Sequence, residues 1–269
     1  MEKNGIAIDI RQLHRWFGDN HVLSGIDLKI PAGTATAIVG GSGAGKSVLL
    51  KHMVGLLMPD SGSIYIFNHE MPRKAGRELE EIRRRFAMVF QGSALLNSLT
   101  VGQNVALGLV EQRKLSPAEI DRIIREKLAL VGLKGKESRR PGELSGGMRK
   151  RVAIARALAM DPEIILFDEP TSGLDPVMAE NIDSLIADLR DRLKKTVVIV
   201  THDMDSAFKI ADGICMLYEG KIIEQGSPET FRSSTNPIVE QFISRFKRHN
   251  DRRIEINREI GPQKELLDL

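Results

Sequence analysis

Apolar and polar residues alternate along the first part of the chain. At residues 6–10 and again at residues 26–30 every second residue is isoleucine or leucine, and a Gly/Asp/Asn turn lies between them at residues 18–20. This alternation is typical of antiparallel strands that bury one face. With another strand pair predicted at residues 62–67, the pattern indicates a small antiparallel β-layer.

Later apolar runs are continuous rather than alternating. Continuous runs predict strands that are covered on both faces, and hence a parallel sheet. These runs lie at residues 164–167, 197–200 and 214–217, with a helix predicted at residues 179–193 and a closing hairpin at residues 220–226.

Between about residues 100 and 160 the spacing of apolar residues becomes helical. Ser116, Pro117 and Glu119 form the pattern of a helix N-cap with proline at the first helical position. Apolar residues follow at helical spacing as far as Val131. This stretch therefore predicts a helical lobe inserted into the α/β core.

The composition restricts the classes of function. A chain of 269 residues with 42% hydrophobic content is long enough for one large α/β domain with a second lobe. Its net charge of +3 gives no global basic field for nucleic acid. The single cysteine, Cys215, favours a reducing compartment. No stretch resembles a secretory signal or approaches the ~20 apolar residues that span a bilayer, so any membrane role is expected to be peripheral.

The motif GxxxxGK[ST] stands at residues 40–47, directly after the apolar run at residues 35–39. Glycines let backbone N–H groups face an anion, Lys46 adds positive charge near the β- and γ-phosphates, and Ser47 offers a hydroxyl to Mg²⁺. The sequence therefore predicts a phosphate-binding P-loop and a nucleotide-binding protein. The predicted binding residues are Gly40, Gly41, Ser42, Gly43, Ala44, Gly45, Lys46, Ser47 and Val48.

Two carboxylates follow the apolar run at residues 164–167. Asp168 and Glu169 are expected at the carboxyl edge of a strand, where open α/β sheets bind ligands. Asp168 suits coordination of Mg²⁺, and Glu169 suits a general base or a group that orients water for attack on the γ-phosphate. The chain has no Asn-Lys-x-Asp run that reads guanine, which weighs against a GTPase.

Three further runs make residues 6–230 resemble the nucleotide-binding subunit of ABC transporters: Leu-Ser-Gly-Gly at residues 144–147, Asp-Glu-Pro-Thr-Ser-Gly-Leu-Asp-Pro at residues 168–176, and Thr-His-Asp at residues 201–203. The resemblance implies ATP as the nucleotide, with Mg²⁺, and ATP hydrolysis. It also implies a head-to-tail homodimer, in which residues 145–147 of one copy close over the γ-phosphate held by the other copy's P-loop.

The resemblance implies roles for further residues. Gln91 joins the metal and the attacking water to the helical lobe, and Lys46 and Glu169 act in catalysis. His202 contacts the γ-phosphate, and Asp175 lies across the dimer seam. The residues that contact the partner's nucleotide are Ser145, Gly146 and Gly147. For stacking on adenine, Phe17 is the first candidate and Trp16 the second; either can instead be an ordinary core or surface aromatic.

Residue 148 departs from the usual family pattern, because Met148 stands where glutamine is common. With the runs at residues 90–96 and 99–106, this makes the chain similar to ATPases of the Mla/Mce lipid-transport branch. That resemblance implies a phospholipid cargo, an integral membrane permease, an Mce-domain substrate-binding protein and a small cytoplasmic accessory subunit. It also implies a peripheral position on the cytoplasmic face of the inner membrane.

Other functions stay open at this point. An amino-acid or ion importer is the main alternative, because the ATPase subunit does not touch the cargo. A soluble ABC-type ATPase acting on DNA or ribosomes would usually carry long heptad insertions, zinc cysteines or two P-loops, and the chain has none of these. A non-catalytic scaffold would be expected to lack Glu169 or His202.

In the ABC family the apolar segment after Gln91 lines a groove that receives a coupling helix of the permease. The alternative is that Leu95, Leu96 and Val101 are ordinary core residues.

The predicted fold is α/β: a P-loop NTPase core with a RecA-like parallel sheet, an N-terminal antiparallel β-subdomain and an inserted α-helical subdomain. The nucleotide-binding domain is predicted at residues 6–242, with its helical lobe at about residues 92–160. A charged tail follows at residues 243–269, and its composition is typical of disorder. Its terminal leucines leave docking on a partner subunit as a second interpretation.

Overall fold

The computed structural model describes residues 5–111 and 115–244. Its strands are β1 (Ile6–Phe17), β2 (Asn20–Pro31), β3 (Ala35–Val39), β4 (Ser61–Ile66), β5 (His69–Glu70), β6 (Phe86–Val89), β7 (Ile164–Asp168), β8 (Thr196–Thr201), β9 (Gly213–Tyr218) and β10 (Lys221–Gly226). Its helices are α1 (Lys46–Met53), α2 (Arg77–Arg83), α3 (Val101–Glu111), α4 (Pro117–Leu130), α5 (Gly146–Ala159), α6 (Pro176–Leu193), α7 (Met204–Ile210) and α8 (Pro228–Arg232), with a 3₁₀ turn at Pro141–Glu143.

The strands form two sheets. The first is antiparallel, with the order β2-β1-β4-β5. The second has the order β10-β9-β3-β8-β7-β6; its pairs are parallel except for the edge strand β10, which pairs antiparallel with β9. The predicted antiparallel layer, parallel sheet and closing hairpin are therefore confirmed.

The parallel sheet is buried on both faces, which explains its continuous apolar runs. Phe167 and Ile199 pack on one face with residues of α3, α5 and α6. Leu166 and Val198 pack on the other face with α1 and the inner face of the antiparallel sheet. The sheet thus lies between a helical layer and a β-layer, and both cores depend on it.

The strand order gathers distant parts of the chain at one edge. Strand β8 lies between β3 and β7, with Val39 paired to Thr201 and Asp168 paired to Val200. Because parallel strands end at the same edge of a sheet, the loops after β3, β7 and β8 meet there. These loops carry the P-loop, Glu169 and His202.

Polar caps set the first turns of α5 and α6. Helix α5 begins at Gly146, where Ser145 accepts a hydrogen bond from the N–H of Met148. Helix α6 begins at Pro176, where Asp175 caps the first turn, rather than at residue 179. The predicted capping box before α4 is present, with Ser116 and Glu119 bonded reciprocally.

Other sequence predictions have different outcomes. The strand pair predicted around residues 62–67 is β4 with a partner, β5, of only two residues. The tail's terminal leucines lie outside the described residues. Within the described ranges, no helix is long and apolar enough to cross a membrane. The predicted domain limits stay a prediction.

Candidate functional site

The P-loop curls tightly between β3 and α1. Gly40 has φ +156°, and a Cβ there would lie 2.2 Å from the carbonyl oxygen of Leu217. Gly45 has φ +101° and caps α1 without a side chain, so the first amides of the helix stay open. Both positions require glycine, because a side chain would clash or strain the loop.

The ammonium group of Lys46 is fixed under this loop. Its Nζ donates to the carbonyls of Gly40 at 2.8 Å and Gly41 at 2.9 Å. Burial lowers the pKa of Lys46, and the negative charges of Glu169 and Asp168 partly oppose that shift. The loop therefore presents a positive charge and open backbone N–H groups to the same space.

A pocket of about 550 Å³ opens at this edge of the parallel sheet. It gathers the P-loop with residues from the loops after β6, β7 and β8. Its lining residues are Val22, Ser42, Gly43, Ala44, Gly45, Lys46, Ser47, Val48, Gln91, Glu169 and His202.

A hydroxyl and a carboxylate lie side by side at the edge of this pocket. The Ser47 hydroxyl donates to Asp168 Oδ1 at 3.2 Å. Burial raises the pKa of Asp168, while the bond from Ser47 lowers it. No cluster of three or more His, Cys, Asp or Glu residues suited to a metal occurs in the described ranges. A hydroxyl and one carboxylate suit a Mg²⁺ ion that takes its other ligands from phosphate and water.

Glu169 has a strained backbone and is held by two hydrogen bonds. Its φ of +49° lies in the left-handed region, which is strained for a side chain other than glycine. Its N–H donates to the carbonyl of Val200 at 2.9 Å. Its carboxylate accepts a bond from His202 Nδ1 at 2.8 Å; the Glu169 side chain is 14% exposed and that of His202 58% exposed. The mostly buried carboxylate is thus fixed against a histidine whose side chain is more than half exposed.

Gln91 is tied to this group through its side chain and its backbone. Its Nε2 donates to the hydroxyl of Ser172 at 3.0 Å, and its carbonyl accepts a bond from Lys150 Nζ. Lys150 was missed in the sequence analysis. The available signal is a lysine on the apolar stripe of α5, since Ile154 and Ala157 lie at helical spacing after it and are buried.

The four residues predicted to act across the dimer seam do not line the pocket of a single chain. Ser145 and Asp175 cap α5 and α6, accepting from the N–H groups of Met148 and Met178 at 3.3 Å and 3.0 Å. Residues 145–147 are here called the signature segment. Among the described residues, neither this segment nor Asp175 lines the pocket. Their contacts with a partner's nucleotide stay a prediction.

The two candidate aromatics differ in their surroundings. Trp16 stacks on His21, with ring centroids 3.9 Å apart, and on His14 at 5.5 Å. Phe17 is 45% exposed, and the guanidinium of Arg15 lies 4.7 Å from its ring centroid. Neither aromatic lines the described pocket, so stacking on adenine stays a prediction.

The apolar residues after Gln91 were predicted either to line a groove for the permease or to belong to the core, and the structure places them differently from one another. Val101 is fully buried, and Leu95 packs against the core, so both serve packing. Leu96 is 45% exposed, and its backbone N–H and carbonyl are both bonded to the buried side chain of Asn104. Of the three, Leu96 presents the most apolar surface to a partner.

Comparison with known proteins gives consistent matches. The family model described as "ABC transporter" matches residues 23–172. The chain is 43% identical over 240 residues to the probable ribonucleotide transport ATP-binding protein mkl of Mycobacterium leprae, covering 89% of this chain and 69% of that protein. It is 39% identical over 240 residues to the intermembrane phospholipid transport system ATP-binding protein MlaF of Haemophilus influenzae, covering 89% and 91%.

Two further matches bear on cargo and assembly. The methionine import ATP-binding protein MetN of Brucella abortus is 38% identical over 237 residues, covering 88% of this chain and 64% of that protein. Among solved structures, the dimeric post-hydrolysis form of the ATP-binding cassette MJ0796, bound to ADP and Pi, matches with a TM-score of 0.75 and 34% identity. That match covers 82% of this chain and 98% of the other.

Proposed function

Since this chain belongs to the ABC transporter family as an ATP-binding and ATP-hydrolysing subunit, we propose that two copies of it pair head to tail. ATP hydrolysis by this pair drives the transport of phospholipid through a separate permease. The main support for the pairing is the incomplete pocket. One chain supplies the P-loop, Gln91, Glu169 and His202, but not the signature segment. A second copy can bring the N-terminus of its α5 to the γ-phosphate, and the similar cassette MJ0796 is a dimer.

The P-loop binds the phosphates of ATP through charge and backbone amides. Lys46 uses two of its three donors on the carbonyls of Gly40 and Gly41, so one donor remains for a phosphate oxygen. The N-terminus of α1 adds its open amides and its helix dipole. This arrangement neutralises charge on the phosphates without needing a further residue from the partner.

The pair of Glu169 and His202 suits hydrolysis. Glu169 orients a water molecule and takes its proton as the oxygen attacks the γ-phosphorus, and the bond to ADP breaks. The Nδ1–H of His202 donates a hydrogen bond to the Glu169 carboxylate. His202 lines the pocket beside Glu169 and is proposed to contact the γ-phosphate.

Mg²⁺ fits the ligands that are present. Ser47 and Asp168 would hold it, directly or through water, and Gln91, which also lines the pocket, would join them. When bound, Mg²⁺ neutralises charge on the phosphate oxygens. Removal of Mg²⁺ with a chelator should stop hydrolysis, and replacement of Asp168 by Asn should raise the Mg²⁺ concentration needed for half-maximal rate.

Phospholipid is the proposed cargo because of Met148 in α5 and the similarity to MlaF, a phospholipid transport protein by name. The proposed assembly adds an Mce-domain substrate-binding protein and a small cytoplasmic accessory subunit. The similarity to MetN, a methionine importer by name, keeps an amino-acid or ion importer as the second candidate.

The permease is proposed to dock beside Gln91, which places the subunit peripherally on the cytoplasmic face of the inner membrane. Leu96→Asp should leave ATP binding and basal hydrolysis intact but remove coupling to transport. Val101→Asp is the matched contrast: Val101 is fully buried, so its replacement should destabilise the fold itself. Loss of ATP binding in Leu96→Asp would mean that Leu96 belongs to the core.

Native co-purification from detergent-solubilised membranes, with mass spectrometry of proteins and lipids, tests the assembly and its cargo. We expect a multi-spanning permease, an Mce-domain protein and bound phospholipid. Recovery with a polar-solute permease would keep the ATPase and overturn the cargo. Recovery of no membrane protein would contradict the transport assembly.

A further inference from the structure

A closed ring of hydrogen bonds links α5 to the loops that carry Gln91 and Glu169. Lys150 Nζ donates to the backbone carbonyl of Gln91 and, at 3.4 Å, to that of Glu169. Ser172 completes the ring: its N–H donates to the Glu169 carbonyl at 3.2 Å, and its hydroxyl accepts from Gln91 Nε2 at 3.0 Å. Three distant segments of the chain are therefore held in one network.

Lys150 is unusual for a buried residue of the lobe. Only 5% of it is exposed, and its hydrogen bonds go to carbonyl oxygens rather than to a carboxylate. Burial lowers the pKa of its ammonium group, while the charges of Glu169 and Asp168 oppose that shift. An apolar side chain at this position would avoid the cost of burying a charge. The lysine is therefore explained by its bonds to the two loops, not by packing.

The bonds converge on a strained residue. Glu169 has a φ of +49°, and such conformations persist only where the surroundings fix them. The N–H of Glu169 is held by β8 through Val200. Its carbonyl is held by Lys150 and Ser172 together. The direction of the Glu169 side chain thus depends on where α5 places Lys150.

We propose that Lys150 is a positioning residue that couples the placement of α5 to the placement of Glu169 and Gln91. Helix α5 begins with the signature segment, and Lys150 lies one turn further along the same rigid helix. Engagement of the signature segment by the partner's nucleotide then sets the carbonyls of both loops. This inference rests on the proposed function, in which Glu169 is the catalytic base.

The test compares kcat and KM of full-length variants. Lys150→Met removes the ammonium but keeps a chain of similar length, and Lys150→Arg keeps a cation. Lys127→Met is the matched control, because Lys127 lies on α4 of the same lobe and pairs with Glu126 outside the ring. Ser172→Ala opens the ring at its other corner and stays informative if Lys150→Met does not fold.

We expect Lys150→Met to lower kcat by about 100-fold, the scale of a catalytic group misplaced by ~1 Å. KM for ATP should stay within about twofold, because the ground-state contacts are intact. Lys150→Arg should recover part of the lost kcat, and Lys127→Met should match the wild type. Adding Ser172→Ala to Lys150→Met should cause little further loss, because both act through one ring.

Wild-type kcat in Lys150→Met, or losses that multiply in the double variant, would overturn the coupling. Glu169→Gln, measured alongside, separates this result from a failure of the proposed function. If Glu169→Gln hydrolyses ATP normally, the base assignment is wrong. If Glu169→Gln is inactive while Lys150→Met is normal, only the coupling is wrong.

Discussion

Two helices of this fold begin at places suited to phosphate oxygens, but their first residues differ. Helix α1 follows Gly45, has no side-chain cap, and starts with Lys46 and Ser47. Helix α5 follows Ser145, whose hydroxyl caps the N–H of Met148, and starts with two glycines. Both termini carry the partial positive charge of a helix N-terminus. Only the first adds a lysine and lies in the pocket with Glu169.

The difference indicates a division of work. The α1 terminus can hold a nucleotide within its own chain, because open amides, an ammonium group and the oxygens of Ser47 and Asp168 lie in one place. The α5 terminus has a hydroxyl and bare amides but lies outside the pocket of its own chain. In the proposed head-to-tail pair, it acts on a nucleotide that the other copy holds. The predictions below alter one terminus or its chemistry at a time.

The largest effect is expected from Glu169→Gln, which separates chemistry from binding at the first terminus. Loss of a general base should lower kcat by about 10²- to 10⁴-fold. ATP affinity should be unchanged, because the P-loop contacts remain. Phosphate release and equilibrium binding of a fluorescent ATP analogue measure the two quantities separately. Normal hydrolysis would reject Glu169 as the base.

Lys46→Ala should weaken ATP binding, because it removes the charge that distinguishes α1 from α5. A hydrogen bond to a charged group contributes about 1.5–3 kcal/mol, which corresponds to about 10- to 150-fold in Kd. Lys51→Ala is the control, since Lys51 is an exposed residue on the same helix. An equal loss in both variants, measured by calorimetric titration with ATP, would contradict a specific role for Lys46.

Ser145→Ala should affect the second terminus alone. Loss of the cap should lower the free energy of unfolding by about 1 kcal/mol. ATP affinity of the isolated chain should not change, whereas hydrolysis by the dimer should slow. Ser116→Ala removes a comparable cap from α4, so it should cost similar stability without slowing hydrolysis. Urea unfolding and steady-state hydrolysis rates of both variants provide the comparison. If the two variants hydrolyse ATP at the same rate, Ser145 acts only as a helix cap.

Met148→Gln should have the smallest effect. The Met148 side chain is half-buried and packs against the core of the lobe. Glutamine should therefore lower the free energy of unfolding by less than about 1 kcal/mol, the scale of one buried methylene. Because the phosphate contacts are assigned to the serine and glycines, kcat should stay close to the wild-type value. A large change in kcat would show that residue 148 itself acts at the composite site.

The parts of the fold that depend on local spacing were predictable. The P-loop stands between a strand and a helix, and Asp168 and Glu169 stand at the carboxyl end of a buried strand, so both could be placed at the sheet edge before any contact was known. The parallel sheet followed from its continuous apolar runs. The insertion of β8 between β3 and β7 is a tertiary property, and no local pattern specifies it.

The contacts that sequence analysis missed join residues far apart in the chain. Lys150 lies 59 residues from Gln91 and 19 from Glu169, and its role depends on how α5 packs across the sheet edge. Helix α6 begins earlier than predicted because Asp175 caps its first turn. The sequence contains this cap, but the helix was predicted from the spacing of its apolar residues, which does not include the polar cap.

The most direct test of two composite sites is to mix Lys46→Ala chains with Ser145→Ala chains. Each variant alone should be defective at both sites of its homodimer. If each site takes its P-loop from one chain and its signature segment from the other, a mixed dimer has one intact site. Random mixing then leaves about a quarter of all sites intact, and the mixture should hydrolyse ATP faster than either variant. A mixture that forms mixed dimers but hydrolyses no faster would contradict the head-to-tail account.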